Sequence, residues 1–364
     1  MAFKSNLLLK LNYMLILLIT LGIFGYERIM YSINISNFNI GRSLNRKDSA
    51  ATSLNKSISL GDGKKRIFVY KNHQQLTAKK ELVATEEQMQ RLALSQPSFI
   101  ELSKENIQDF VFVTAASENH FTESFDLIGS IQTFYPDRNI YYYDLGLDSE
   151  QETIIKTMCG VKYRKFNFTG YPKHVSQYLW TCAFKPLIVQ EMLTKHKVGV
   201  FWVDSSIRFK TGGTEKLWEK IKNGNGLMLF LNRFINKNFA VTHPGMYDYL
   251  PAEEEDMRRR GAYGAGAFLI YNTKFVHEYF FKWLVLCALN RHCIKPKGSR
   301  LRCARAQEDI SSYLNCHRFD QSAFNILLYD TYNFPGDFQS EICDSERLSV
   351  NRTKQTMFKV KFCT

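Results

Sequence analysis

At 364 residues, with 45% hydrophobic and 14% aromatic content, the chain has ample material for a packed core, which excludes wholesale disorder. Its formal charge of +13, from 48 basic and 35 acidic residues, admits nucleic acid, an anionic membrane surface or an anionic small ligand as partner. Compartment decides among these.

The N-terminus supplies the compartment. Leu11 to Tyr26 is an apolar run; with Leu7 to Leu9 counted and Lys10 snorkelling, about 20 residues are available, one bilayer crossing. Lys4 and Lys10 precede it, which orients the N-terminus to the cytosol. The segment therefore reads as an N-terminal transmembrane signal-anchor: tail 1–10, span 11–26, and a lumenal remainder in the Golgi or endoplasmic reticulum membrane. Cleavage of the segment would make the chain secreted. Eight cysteines, even in number and without a Cys-x-x-Cys pair, favour disulfides over zinc, with the connectivity open. Asn34, Asn55, Asn167 and Asn351 each start an Asn-x-Ser/Thr acceptor. A lumenal chain does not meet chromosomal DNA, so nucleic acid leaves the list of partners. The membrane stays, through the N-terminal segment.

Residues 27–105 read as a stem with some local structure. Ser32 to Lys65 is polar and aperiodic, Arg66 to Tyr70 has strand character, and Thr85 with Gln88 is a capping box opening a short helix toward Leu94. The globular domain is expected over residues 106–364. There, strand character at Phe110–Ala115, Asn139–Asp144, Val161–Phe166, Gly199–Asp204, Gly226–Phe230 and Ala267–Tyr271 alternates with helical spacing. The helices fall at Ser124–Phe134, Ser149–Met158 (opened by a capping box at Ser149 and Glu152) and Phe184–Lys195. This alternation predicts an α/β, three-layer sandwich with a mostly parallel sheet. Such sheets bind ligands beyond the carboxyl ends of their strands, where Thr114, Asp144 and Asp204 fall.

Several stretches can carry chemistry. An apolar strand delivers Asp204, followed by Ser205, Ser206 and Arg208. A carboxylate there can hold a divalent cation against a diphosphate; it can equally cap the next element or pair with Arg208. Asp320 and Gln321 open a helix with the stripe Phe324, Leu327, Leu328. Capping explains Asp320; orienting a polyhydroxyl ligand is the functional alternative, with His317 or Arg318 as metal ligand or phosphate clamp. The glycines of Gly261 to Gly266 precede a strand, the reverse of a dinucleotide fingerprint, and serve close backbone approach or a turn. Lys185 and Pro186 open a helix, with Lys185 either solvated or aimed at an anion. Glu253 to Arg260 reads as a solvated helix with charge pairs four apart. Arg291 to Arg305 reads as a disulfide-pinned basic loop, with acidic-glycan binding as the alternative.

The stretches Val113–Ser117, Tyr143–Leu147, Trp202–Phe209, Thr242–Pro244 and Cys316–Ser322 together resemble an uncharacterised, nematode-expanded family known as domain-of-unknown-function family 1647, over about Asp109 to Thr364. More distantly the pattern resembles nucleotide-diphospho-sugar transferases of the GT-A fold. That resemblance implies a nucleotide pocket lined by Thr114, Ala115 and Ala116, and a donor flanked by Lys185, Arg208 and Gly266. It implies an Asp-x-Asp metal motif at Asp204 and Ser206, and a donor-sugar helix start at Asp320 and Gln321 as catalytic residues. Ser206 stands where such enzymes carry the second aspartate. Three outcomes stay open: Mn2+ held by Asp204 and His317, diphosphate neutralised by Lys185 and Arg208, or an inactive site. The expected function is a Golgi type II glycosyltransferase moving a sugar from a nucleotide-sugar donor to a glycan or glycoprotein acceptor. The alternative is an inactive GT-A-like glycan-binding or scaffold protein.

Overall fold

Strand β1, Phe110–Ala116, is apolar on both faces because it is covered on both, and it pairs in parallel with β2 (Ile140–Asp144) and β4 (Gly199–Val203). The computed structural model describes residues 67–69, 75–213, 217–303, 312–332, 338–352 and 357–363. The expected span 11–26 and the acceptors Asn34 and Asn55 lie outside these; among the described residues no helix is long and apolar enough to cross a membrane.

With β3 (Val161–Lys165), β5 (Leu227–Leu229) and β6 (Ala267–Ile270), the central sheet runs β3-β2-β1-β4-β6-β5. Only β6 is antiparallel to its neighbours β4 and β5, so the sheet is mostly parallel, as expected. The chain builds outward from β1 to β3 and then returns to lay β4 on the other side of β1. The order reverses between β1 and β4, and a crevice at the carboxyl ends of such a pair is where open α/β sheets bind ligands.

Period-two alternation sorts the strand residues onto two cores. Val113, Ala115, Val200, Trp202, Phe268 and Ile270 face helices α4 (Phe184–His196), α6 (Lys282–Leu289) and α7 (Asp320–Thr331). Phe112, Ala116, Phe201, Val203 and Leu269 face α2 (Phe121–Phe134). Sheet and two helical layers make the three-layer sandwich. Each fully buried large apolar side chain contributes about 1.5–3 kcal/mol.

Helix α1 (Glu86–Arg91) has the expected capping box at Thr85 and Gln88, and it is docked: Leu82, Leu92 and Leu94 enter the α4-side core. Helix α3 (Ser149–Lys156) begins at Ser149, but its cap lies one residue earlier than expected. Asp148, not Ser149, is extended and accepts from the Gln151 amide at 2.8 Å, so the box is Asp148–Gln151. Helix α5 (Glu254–Arg259) carries the expected pairs Glu254–Arg258, Glu255–Arg259 and Asp256–Arg260, with Met257 turned into the core. Disulfides join Cys159–Cys363, Cys287–Cys293 and Cys303–Cys316, while Cys182 and Cys343 remain thiols, so six of the eight cysteines pair.

Candidate functional site

Strand parity places Asp204 on the same face as Val200 and Trp202, toward α4 and α7. Lys185 arrives there from the first turn of α4, after Cys182 turns the chain in the left-handed region at φ 52°. Asp320 arrives as the first residue of α7, behind Phe319 at φ 48°. Asn325 then clamps α7 to the strand Gly261–Tyr263, accepting from Tyr263 N at 2.7 Å and donating to Tyr263 O at 2.9 Å. Four segments distant in sequence thus meet at the ends of β4 and β6.

The Lys185 ammonium, 6% exposed, lies 2.8 Å from Asp320 Oδ2, 3.2 Å from Asp204 Oδ1 and 3.0 Å from the Ala265 carbonyl. The Ala265 carbonyl accepts a hydrogen bond from it, and the two carboxylates are its ion-pair partners. Burial opposes the charge on Lys185, but the two carboxylates outweigh it and hold the ammonium above its ordinary range. Burial raises Asp320 against the pull of Lys185, and the Asp204 charge adds to the rise. Trp202 Nε1 donates to Asp204 Oδ1 at 2.7 Å. Among the described residues Asp204 Oδ2 has no partner, on a side chain 37% exposed. A Cβ on residue 266 would stand 2.8 Å from that oxygen, so Gly266 keeps it open. The half-buried Gln321 amide side chain has no protein partner among the described residues.

The expected residues therefore divide. Lys185, Asp204, Gly266, Asp320 and Gln321 come together. Asp320 is not an N-cap, and Lys185 is neither solvated nor free to meet an anion. Thr114 and Ala116 point to the α2 face, both buried, and Ala115 alone shares the face of Asp204. Asp144 is spent on the fold: its Oδ1 accepts from Gly146 N and Leu147 N at 2.7 and 2.6 Å, and its Oδ2 from Tyr163 at 2.7 Å. Arg208 does not pair with Asp204 and does not reach a diphosphate. It is buried against Asp126 (Nε to Oδ2 3.3 Å) and donates to the carbonyls of Ser205 and Ile207.

The residues do not fit a manganese ion. Asp204 has one free oxygen, and Ser206 is buried with its carbonyl accepting from Asn351 N. His317 is fully buried; its Nδ1 accepts from His243 N at 3.1 Å, its ring packs on Phe319, and burial drives its pKa down to about 3. Among the described residues no three His, Cys, Asp or Glu side chains are grouped to hold a metal. Sequence reasoning missed Trp202, although it lies two residues before Asp204 on the same strand face, and it missed the carbonyl of Ala265. Cavities of about 500 and 620 Å3 lie around β2, β3 and Glu191, and neither is lined by Asp204 or Asp320.

No curated protein matches the sequence. Solved structures similar to the chain are glycosyltransferases. The apo WbbM bifunctional glycosyltransferase matches at 15% identity and TM-score 0.40, over 65% of this chain and 40% of that one. The galactosyltransferase LgtC, in complex with donor and acceptor sugar analogs, matches at 14% and 0.38, over 66% and 87%. Mouse xyloside xylosyltransferase 1 matches at 10% and 0.39, over 67% and 98%. The chain thus spans less than half the length of WbbM, and no substrate or residue role is taken from likenesses of this size. Residues 58–190 match the family described as protein of unknown function, DUF1647, a span that takes in Val113–Ser117 and Tyr143–Leu147 and stops short of Asp204 and Asp320.

Proposed function

We propose that the chain is a glycosyltransferase that takes a sugar from a nucleotide-sugar donor and passes it to a glycan or glycoprotein. One observation carries the reading: Asp204 and Asp320 converge on the buried Lys185 at the switch point of a mostly parallel sheet. In transfer, an acceptor hydroxyl oxygen bonds to the anomeric carbon, the nucleoside diphosphate leaves with the electron pair, and the hydroxyl proton passes to a base. Asp204 Oδ2 and the Gln321 amide are the groups available to hydrogen-bond the donor sugar, and Lys185 fixes both carboxylates in place. Asp320, whose proton affinity is raised by burial, is suited to receive a proton. No step is routed through a metal. A type II Golgi topology, proposed from the N-terminal apolar segment alone, would put this site in the lumen with nucleotide sugars and glycans.

A second reading has its own support. Ser206 supplies no metal ligand, and Lys185 already neutralises one carboxylate, so the site also suits recognition of a polyhydroxyl ligand without transfer. The full-length chain, purified in a neutral detergent, is to be incubated with a panel of nucleotide sugars, with manganese and with a chelator. Transfer or donor hydrolysis insensitive to the chelator is the expected result. No turnover and no thermal shift with any donor would reject the transferase; glycan binding in its absence would establish the second reading. Asp204→Asn is expected to weaken donor binding at least about tenfold, the loss of one charged hydrogen bond. Unchanged affinity would remove Asp204 from the site.

A further inference from the structure

Trp180 is the most exposed of the four tryptophans, at 44%, and it sits in the single turn Leu179–Thr181 that leads through Cys182 into the helix carrying Lys185. The ring does not stand singly: it is part of a cluster with Tyr178, Phe319 and Lys295, and a cluster is what marks a binding surface. Its edge meets Phe319, the residue before Asp320, at 4.7 Å between ring centroids, and Tyr178 at 5.9 Å. Lys295 Nζ lies 4.8 Å from the Tyr178 ring and 5.6 Å from the Trp180 ring, and the Arg291 guanidinium lies 5.5 Å from Tyr178. Neither cation has an ion-pair partner among the described residues.

The loop that carries them is basic and fixed. From Arg291 to Arg305 the sequence contains no carboxylate. The disulfides Cys287–Cys293 and Cys303–Cys316 bracket it, His317 N donates to Arg300 O at 2.7 Å, and Arg318 donates to Leu301 O at 3.3 Å. The segment leading into Asp320 is thus stitched to the basic loop. In the chain of contacts two aromatic rings, Phe319 and Trp180, separate the cations from the carboxylates. The cations thus lie beside the carboxylate cluster and outside it.

We propose that Trp180, Lys295 and Arg291 form a subsite for an acidic saccharide. One sugar ring packs on Trp180 while its carboxylate or sulfate pairs with Lys295 and Arg291. The binding stands on these residues alone; that the bound glycan is the acceptor rests on the transferase reading above.

The test uses the full-length chain in detergent and three probes: a sulfated chondroitin hexasaccharide, its desulfated uronate-bearing counterpart, and neutral chitohexaose. Binding is read by calorimetry and by tryptophan emission. Both acidic probes are expected to bind at least about tenfold more tightly than chitohexaose and to shift the emission. Arg291→Ala with Lys295→Ala should remove about tenfold of the acidic affinity and leave the neutral probe unchanged, as should Lys104→Ala, a distant exposed charge, for all three. Trp180→Phe should abolish the emission shift and keep most of the affinity; Trp180→Ala should lose both. Equal affinity for acidic and neutral probes overturns the proposal. So does an equal loss with Lys104→Ala, and so does a loss of uridine diphosphate binding with no loss of glycan binding in the double variant. Donor turnover that persists while acidic glycans fail to bind sinks this subsite and spares the transferase; binding without turnover does the reverse.

Discussion

Two buried ion pairs lie on opposite faces of the central sheet, and they differ in what they leave over. On the α2 face, Arg208 meets Asp126, both almost wholly buried, and Asp126 Oδ1 also accepts from Met357 N and Phe358 N at 2.8 and 3.0 Å. Both Asp126 oxygens are consumed by tying α2 to the strand Ile207–Phe209 and to the C-terminal segment. On the other face, Lys185 serves two carboxylates, and one oxygen of Asp204 stays open beside Gly266. Both cations are buried, but Asp204 is 37% exposed where Asp126 is only 4% exposed. Residual hydrogen-bonding capacity at the surface is what separates a site from a staple.

Removing each cation should break the two regions in different ways. Lys185→Met leaves the buried Asp320 and the part-exposed Asp204 with no counter-charge and is expected to cost about 4 kcal/mol, with loss of ligand binding. Arg208→Met strands one carboxylate that keeps two backbone donors, so about 3 kcal/mol is expected, with binding retained at temperatures where the fold survives. Urea midpoints and ligand-induced thermal shifts measure both. A stable Lys185→Met protein that still binds donor would erase the contrast.

The next effect is one of pH and belongs to the carboxylate side. His317, three residues before Asp320, stays neutral in the fold down to about pH 3 because it is buried, whereas the unfolded chain takes up its proton near 6.5. Between those values the unfolded state binds more protons, so stability is full above pH 6.5 and falls as the pH drops toward 3. From pH 7 to 5 the loss assignable to His317 is about 2 kcal/mol. Denaturant titrations at the two pH values should show it, and His317→Gln should flatten the difference by about that amount. An unchanged slope would mean that the ring is not the buried neutral base its contacts describe.

Why the two sides were unequally legible follows from particular residues. The strands announce themselves as unbroken apolar runs, since a sheet covered on both faces has no polar alternation to hide in. Asp204, Lys185 and Asp320 stand out singly as charges at the ends of apolar elements, and the sequence names all three. Their convergence on one ammonium is a tertiary fact that no local pattern contains. Arg208 was misread because its strand Ile207–Phe209 pairs with Leu348–Val350, a partner more than a hundred residues away, which turns it to the α2 side. Thr114 turns away from the site because it shares a face with Phe112, not with Val113. His317 lies next to the site in sequence, and its burial against Phe319 follows from a backbone turn at positive φ that composition does not signal.

The smallest effect sharpens the comparison most. Gly266→Ala adds one methyl group 2.8 Å from Asp204 Oδ2 and 3.2 Å from Leu231 Cδ1. The carboxylate has nowhere easy to go, because Lys185 and Trp202 hold its other oxygen and Asp204 N donates to Gly266 O at 2.8 Å. About 1–2 kcal/mol of stability is expected to be lost, together with donor binding. Gly264→Ala is the matched control, since its Cβ would stand 2.8 Å from Leu231 Cβ in an apolar contact. It should cost a similar amount of stability and leave binding intact. If both variants bind equally well, the open oxygen of Asp204 does not touch the ligand, and the carboxylate cluster becomes a second staple.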